Sequence, residues 1–304
     1  MPLPKKCPIC FSSSEELSVV TSHVNGNDDQ SKRAFFNCDN CGIIFLHPRY
    51  TTLENNRFYE EEFEAFMHSR DRGDSGWLDI NAHVERNRKT VRRRLGYLEE
   101  HMEGKLKVLE IGCSSGFMLK ELTERGHTCV GIEPSKKFRE GLIEQGFEVY
   151  SDLEELSSSG AAGFDLILHF FVLEHVEDPK SFIQLLVGQL KFGGKMVFEI
   201  PCSQDALYKL YDIPEFERFY WSKAHPWYFN KQSIRYLLQE IGLDYKLTEE
   251  QRYGFSNHFQ WALKRCPGGE LFYSRFIGED FEQLYRELLI SKGYADTLIV
   301  EVSR

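Results

Sequence analysis

The chain has no long apolar run. Its opening residues, Met1-Pro-Leu-Pro-Lys-Lys6, lead straight into Cys7 without the apolar stretch of a secretory signal. Nowhere does it approach the ~18 consecutive apolar residues that suggest a membrane span. A cytoplasmic protein that does not enter a membrane is therefore expected. Positive charge is also in short supply. Lys and Arg total 37 against 47 Asp and Glu, a formal net charge of −10. An acidic surface repels a phosphate backbone, so nucleic acid is not expected as a bulk partner. The one basic run, Arg86–Arg94, reads as a solvated helix face, with a pocket contact to a phosphate-bearing substrate as its alternative. Internal repeats and low-complexity tracts are missing too. Disorder is excluded by the 14% of aromatic residues, because such a chain has apolar surface to bury. Cysteine is present eight times, but not in a disulfide framework. Four cysteines form two Cys-x-x-Cys pairs near the N-terminus, and Cys113, Cys129, Cys202 and Cys266 stand alone. That pattern favours metal ligation over bridges.

At 304 residues, the chain is long enough for one sizeable core and a small accessory module. Three regions separate. Residues 1–50 carry the paired cysteines. Residues 51–104 are charged and read as a helical linker or lid. From Lys105 onward, short apolar runs alternate with amphipathic segments. Strands are expected at Leu106–Ile111, Thr128–Glu133, Phe147–Tyr150, Phe164–Phe170 and Lys195–Ile200, and late in the chain at Asp244–Tyr253 and Asp296–Val302. Helices are expected at Gly116–Arg125, at Ser135–Gln145 with Ser135 as cap, at Pro179–Leu190, at Asn230–Ile241 with Gly242 as stop, and near Glu279–Ser291. Repeated β-then-α order implies an α/β fold, doubly wound around a mostly parallel sheet. This α/β domain would occupy residues 105–304, with a substrate-facing insert at about 202–229 and a C-terminal extension at about 251–292.

In such sheets ligands sit beyond the carboxyl ends of the strands. The first strand-to-helix turn here is Glu110-Ile-Gly112-Cys-Ser-Ser-Gly116. Gly112 permits a tight turn and close approach of a ligand to the backbone. An acid, Glu133, ends the next strand, about 20 residues on, where a ribose hydroxyl pair is commonly held. A dinucleotide fingerprint would need glycines where Ser114 and Phe117 stand, so a nicotinamide or flavin dinucleotide is excluded. A cofactor without a pyrophosphate suits the loop better.

These residues resemble the first motif of the class I S-adenosylmethionine-dependent methyltransferases, an acid followed by Gly-x-Gly-x-Gly. Glu110, Gly112 and Gly116 match, and Ser114 replaces the middle glycine. Glu133 matches the ribose-binding acid. Asp152 falls where the family has a polar residue near the adenine, and it equally suits a helix N-cap. Phe164–Pro179 resembles the fourth-strand motif, and Leu190–Gly194 the lead-in to the fifth strand. The likeness covers roughly residues 105–245. It implies a seven-stranded sheet and a cofactor site made of Glu110, Gly112, Cys113, Ser114, Gly116, Glu133, Asp152, Phe171 and His175. Cys113 is counted as small loop filler, not a nucleophile.

Cys7-Pro-Ile-Cys10 and Cys38-Asp-Asn-Cys41 read as two metal knuckles that together complete a tetrahedral, structural zinc site. A module this small would draw most of its folding free energy from the metal. For the acceptor, a general base is sought among the histidines. His225, in Trp221-Ser-Lys-Ala-His-Pro-Trp-Tyr-Phe229, is the first candidate, with packing in an aromatic lid as its alternative. His258, grouped with Arg252 and Asn257 in a stretch that otherwise resembles a core strand, is the second, with a hydrogen-bonded structural role as its alternative. His169 reads as pocket wall or core, and Tyr59 as part of a solvated helix face, with closure over the cofactor as its alternative. The combination resembles small-molecule methyltransferases, many of which act on sugars or nucleotide-linked sugars, and implies a hydroxyl or amine acceptor. The alternatives are an RNA or protein methyltransferase that docks its substrate through the zinc module, and a cofactor-binding module without activity.

Overall fold

The computed structural model describes residues 3–27, 32–70 and 79–304. In chain order the strands are β1 Leu17–Thr21, β2 Ala34–Cys38, β3 Ile44–His47, β4 Lys107–Ile111, β5 Thr128–Ile132, β6 Glu148–Tyr150, β7 Phe164–Phe170, β8 Leu190–Pro201, β9 Trp227–Tyr228, β10 Asp244–Glu250 and β11 Thr297–Ser303. Seven of them form one sheet in the order β10-β11-β8-β7-β4-β5-β6. β4 through β8 pair in parallel. β11 runs antiparallel to both its neighbours. β7 is buried at six of its seven positions, which is why its sequence reads as an almost unbroken apolar run.

Local signals place the helices. Asp178 caps Pro179–Gln189 through the N–H groups of Lys180 and Ser181, and proline takes the first turn, where no N–H is needed. Asn230 and Ser233 form a reciprocal cap on Lys231–Ile241, and Gly242 ends that helix at φ +77°. Two expectations differ from what is found. The strand expected at Lys195–Ile200 begins earlier, at Leu190. β8 continues from Leu190, shifts register against β7 and takes both glycines into backbone bonds with Arg304. The stretch holding His258 is the helix Phe255–Lys264, because Phe255, Phe259 and Ala262, with His258 and Trp261, recur at helical spacing. No helix among the described residues is long and apolar enough to cross a membrane.

The N-terminal strands do not close a sheet by themselves. They form the order β1-β2-β3-β9, so residues 227–228 from the far side of the core supply the fourth strand. Cys7, Phe36, Cys38, Cys41 and Phe45 share one apolar cluster with Leu109, Ile111 and Trp227. The boundary at residue 50 thus marks a change of sequence character within one continuous core. Helices Thr52–Arg57 and Phe63–Arg70 follow, with a five-residue π-helical turn between them.

The basic run does not form a solvated face throughout. Arg94 is 4% exposed and its Nε lies 3.1 Å from the Glu199 carboxylate. Arg93 lies 2.5 Å from the same carboxylate, and the Tyr97 hydroxyl donates to it at 2.8 Å. Burial pushes Glu199 up, but the Arg94 and Arg93 guanidiniums outweigh it and hold the acid at about 2. At Arg94 burial wins over attraction and the pKa falls, since one carboxylate serves two cations. Arg94→Leu is expected to cost about 3–5 kcal/mol, much of it from leaving a buried charge with too few partners. Urea unfolding of both proteins measures it. Because the Glu199 pKa is lowered in the folded state, its contribution is full above the unfolded carboxyl value and is lost as pH falls toward 2.

Candidate functional site

A single large cavity of about 1210 Å³ opens at the carboxyl ends of the central strands. β4 ends at Ile111, and the loop to helix Phe117–Glu124 follows. Three of its residues have positive φ: Gly112 at +69°, Ser114 at +50° and Gly116 at +73°. The N–H groups of Gly112 and Cys113 donate to the Ile132 carbonyl and tie the loop to β5. A Cβ at Gly112 would lie 2.8 Å from a Val172 methyl, so the loop requires glycine there. Glu133 accepts from the N–H of Ser114 at 2.6 Å and of Ser135 at 2.8 Å, and burial lifts it to about 7. Glu110 is buried, its Oε2 has no hydrogen-bond partner, and burial pushes it to about 8. Both acids line the cavity with Gly112 and Ser114.

Most of the residues expected at the cofactor site come together. Glu110, Gly112, Ser114, Glu133, Asp152, Phe171 and His175 all line the cavity, and Gly116 starts the helix behind the loop. Asp152 is the helix cap, accepting from the N–H groups of Glu154 and Glu155, and it also lines the cavity. Cys113 is a correction. Its side chain packs beneath the loop with Leu119, Leu142 and Val149 and is absent from the cavity lining, because the loop turns its neighbours outward.

His258 is a second correction. It is 1% exposed and bonds the Tyr285 hydroxyl at 2.8 Å, with the Tyr211 ring also against it. It does not line the cavity, and burial pulls it down to about 4. It is a histidine of the C-terminal helical layer. His169 is likewise core, stacked 4.3 Å from Phe198.

His225 does line the cavity, its ring centroid 4.7 Å from that of His175. Burial, then His175 and Arg70, hold its pKa well below the ordinary value, so the ring is neutral. His175 Nδ1 lies 2.6 Å from the Ala224 carbonyl. A carbonyl only accepts, so Nδ1 carries the ring proton and Nε2 presents a lone pair. The Tyr59 hydroxyl donates to the same carbonyl at 3.0 Å and lies 2.9 Å from Nδ1. Tyr59 is therefore cavity wall, not solvated surface, and its sequence context of three glutamates conceals this.

Arg252, which stood out in the sequence beside His258, lines the same cavity, and so do three acids that sequence reading missed, Glu174, Asp205 and Asp296. Arg252 sits 4.0 Å from the Phe171 ring and bonds Thr297. Asp296 accepts from Gln251 and from the N–H groups of Arg252 and Tyr253. Only Glu174 had a signal, its place beside His175.

Outside the cavity, Cys7, Cys10, Cys38 and Cys41 converge, their sulfurs all within 4.8 Å of one another. The Cys7–Cys41 and Cys10–Cys38 sulfur pairs are 3.7 and 3.5 Å apart. Tetrahedral zinc–thiolate bonds of about 2.3 Å would set sulfurs about 3.8 Å apart, so the donor set fits.

The known proteins that the chain resembles agree with the cavity. Residues 80–247 match the family model described as a methyltransferase domain, and the chain belongs to that family. The match begins at Ile80, so it takes in the helices before β4 that the sequence had set apart. The fold is that of the class I adenosylmethionine-dependent enzymes, and the solved structure of a SAM-dependent methyltransferase from Archaeoglobus fulgidus superposes with a TM-score of 0.51 at 18% identity, covering 80% of this chain and all of that one. Among curated proteins, the ubiquinone biosynthesis O-methyltransferase of Idiomarina loihiensis is 32% identical over 133 residues, 41% of this chain and 55% of that protein. The protein of the same name from Escherichia coli SMS-3-5 is 28% identical over 155 residues, 48% and 63% respectively. The chain thus spans less than two thirds of the length of these relatives.

Proposed function

We propose that this protein transfers a methyl group from adenosylmethionine to a hydroxyl or amine of a small molecule in the cytoplasm, and that the acceptor is a sugar or nucleotide-linked sugar. The observation that carries the cofactor half is Glu110, a buried carboxylate with a partnerless oxygen, beside a glycine turn that admits no Cβ. An ammonium satisfies such an acid where water is excluded. Bound adenosylmethionine supplies an electrophilic methyl on a sulfonium. In this reading Glu110 holds the amino group, Glu133 the ribose hydroxyls, and Asp152, Phe171 and His175 the remaining cofactor wall. The names of the curated relatives support a small-molecule acceptor. The sugar rests on the resemblance of the whole arrangement. The four-cysteine cluster is assigned to structural zinc on its donor set and spacing.

His225 is proposed as the group that takes the acceptor proton, because it is neutral and open to the cavity. His225→Ala is expected to lower turnover by ~10²–10⁴-fold with adenosylmethionine binding intact. Calorimetry and a methyl-transfer screen over nucleotide sugars measure the two. Unchanged turnover would remove His225 from this role, and absence of cofactor binding would remove the whole reading.

A further inference from the structure

Beyond the cofactor loop the cavity contains a second buried acid that nothing satisfies. Glu174 follows β7, is 1% exposed, and neither carboxylate oxygen has a hydrogen-bond partner. Its neighbours do not supply one. His175 Nε2 lies 4.0 Å from Glu174 Oε1, and the tautomer fixed by the Ala224 carbonyl leaves that nitrogen as an acceptor. A ring nitrogen of His225 completes the group, the three ligand atoms all lying within 4.8 Å of one another. Two unsatisfied carboxylate oxygens and the His175 Nε2 lone pair therefore gather here, and burial, with a further push from Glu199, outweighs the pull of Arg252 and lifts Glu174 to about 8.

What enters must bring hydrogens. A hydroxyl brings one, and adds no charge to balance the carboxylate when it ionises in this buried place. A protonated amine brings two or three and the matching charge. The surrounding rings favour the cation as well. Tyr59 and Phe63 stand edge-on to His175 with centroids at 5.7 and 5.9 Å, and Tyr228 is 5.7 Å from His225. Aromatic rings around a pocket attract a cation seated among them. From this nest of acceptors we infer that the small-molecule acceptor carries an amine, received by Glu174, His175 and His225. This rests on the reading of the cavity as a methyl-transfer site, and it narrows the acceptor class to amines, amino sugars among them.

The test uses full-length protein saturated with adenosylhomocysteine. Its binding is measured first, so failure of the methyl-transfer reading shows before any amine is added. Two matched pairs are then titrated: 2-phenylethylamine against 2-phenylethanol, and glucosamine against glucose. At least one amine is expected to bind ~10-fold or more tightly than its hydroxyl partner, and Glu174→Gln is expected to weaken that amine by ~10- to 100-fold with adenosylhomocysteine affinity unchanged. If the variant fails to fold, the wild-type comparison still decides. Equal affinity within both pairs, or no amine binding up to ~10 mM, overturns the inference. So does stoichiometric binding of Mg²⁺ or Mn²⁺ that disappears in Glu174→Gln, which would assign the nest to a metal.

Discussion

Cys41→Ser is expected to remove the proposed zinc and to abolish methyl transfer, although residue 41 lies outside the cavity. A serine hydroxyl is not an anion at neutral pH and replaces a thiolate poorly. Structural zinc in small modules carries about 10–16 kcal/mol of apparent binding energy, comparable with the whole stability of a domain, about 5–15 kcal/mol. The damage then spreads by a defined route. β3 pairs with β9 through Ile44–Tyr228 and Phe45–Trp227, the Asn230 side chain donates to the Gly42 carbonyl at 2.9 Å and Gln232 to that of Asn40 at 2.9 Å. His225 and Tyr228 line the cavity from this same segment. The acceptor wall should loosen while the Glu110–Gly116 loop, built on β4 and β5, persists. Atomic absorption should find a zinc ion per chain in the native protein and little in the variant. Tm should fall by ~10 °C or more, and turnover should reach background with adenosylhomocysteine binding retained. Metal-free native protein, purified without chelator and equally stable, would defeat this expectation.

Gly112→Asp has the opposite signature. The residue sits at φ +69°, where a side chain costs about 1–2 kcal/mol, and its Cβ would meet Val172 at 2.8 Å. The new carboxylate would also stand beside Glu110 and Glu133, already pushed to about 8 and about 7 by burial. A second or third uncompensated acid raises the cost of each. Cofactor binding should therefore be lost up to millimolar concentrations, while zinc content and the far-ultraviolet spectrum stay native. Retained micromolar binding would mean that the ligand approaches the cavity elsewhere.

What could be read from the sequence was what local physics decides. The caps at Ser135 and Asn230, the stop at Gly242 and the apolar run Phe164–Phe170 each depend on neighbours within a few residues, and the structure has all of them. The cofactor loop was legible for the same reason, since its turn and its acids fall on consecutive strand ends. What escaped depends on partners far along the chain. Arg94 reads as solvated until Glu199 is set against it, and Tyr59 until Ala224 is. Cys113 sits in the loop, yet side-chain direction there is set by positive φ at its neighbours. His258 was misplaced because polar residues in an apolar stretch suggest a ligand, whereas Tyr285, 27 residues on, already satisfies one of its nitrogens.

The pairing of β3 with β9 also bears on how the chain matures as it is made. β3 exposes an open edge until residues 227 and 228 have left the ribosome, by which time β4 through β8 have emerged. Contacts across so long a stretch of chain form late and slowly. The cysteine-bearing segment, synthesised before β4 through β9, must wait for them before its sheet is complete. Truncations ending before Trp227 should therefore leave that edge available to other chains and lower soluble yield, whereas those ending shortly after helix Lys231–Ile241 should not suffer on this account.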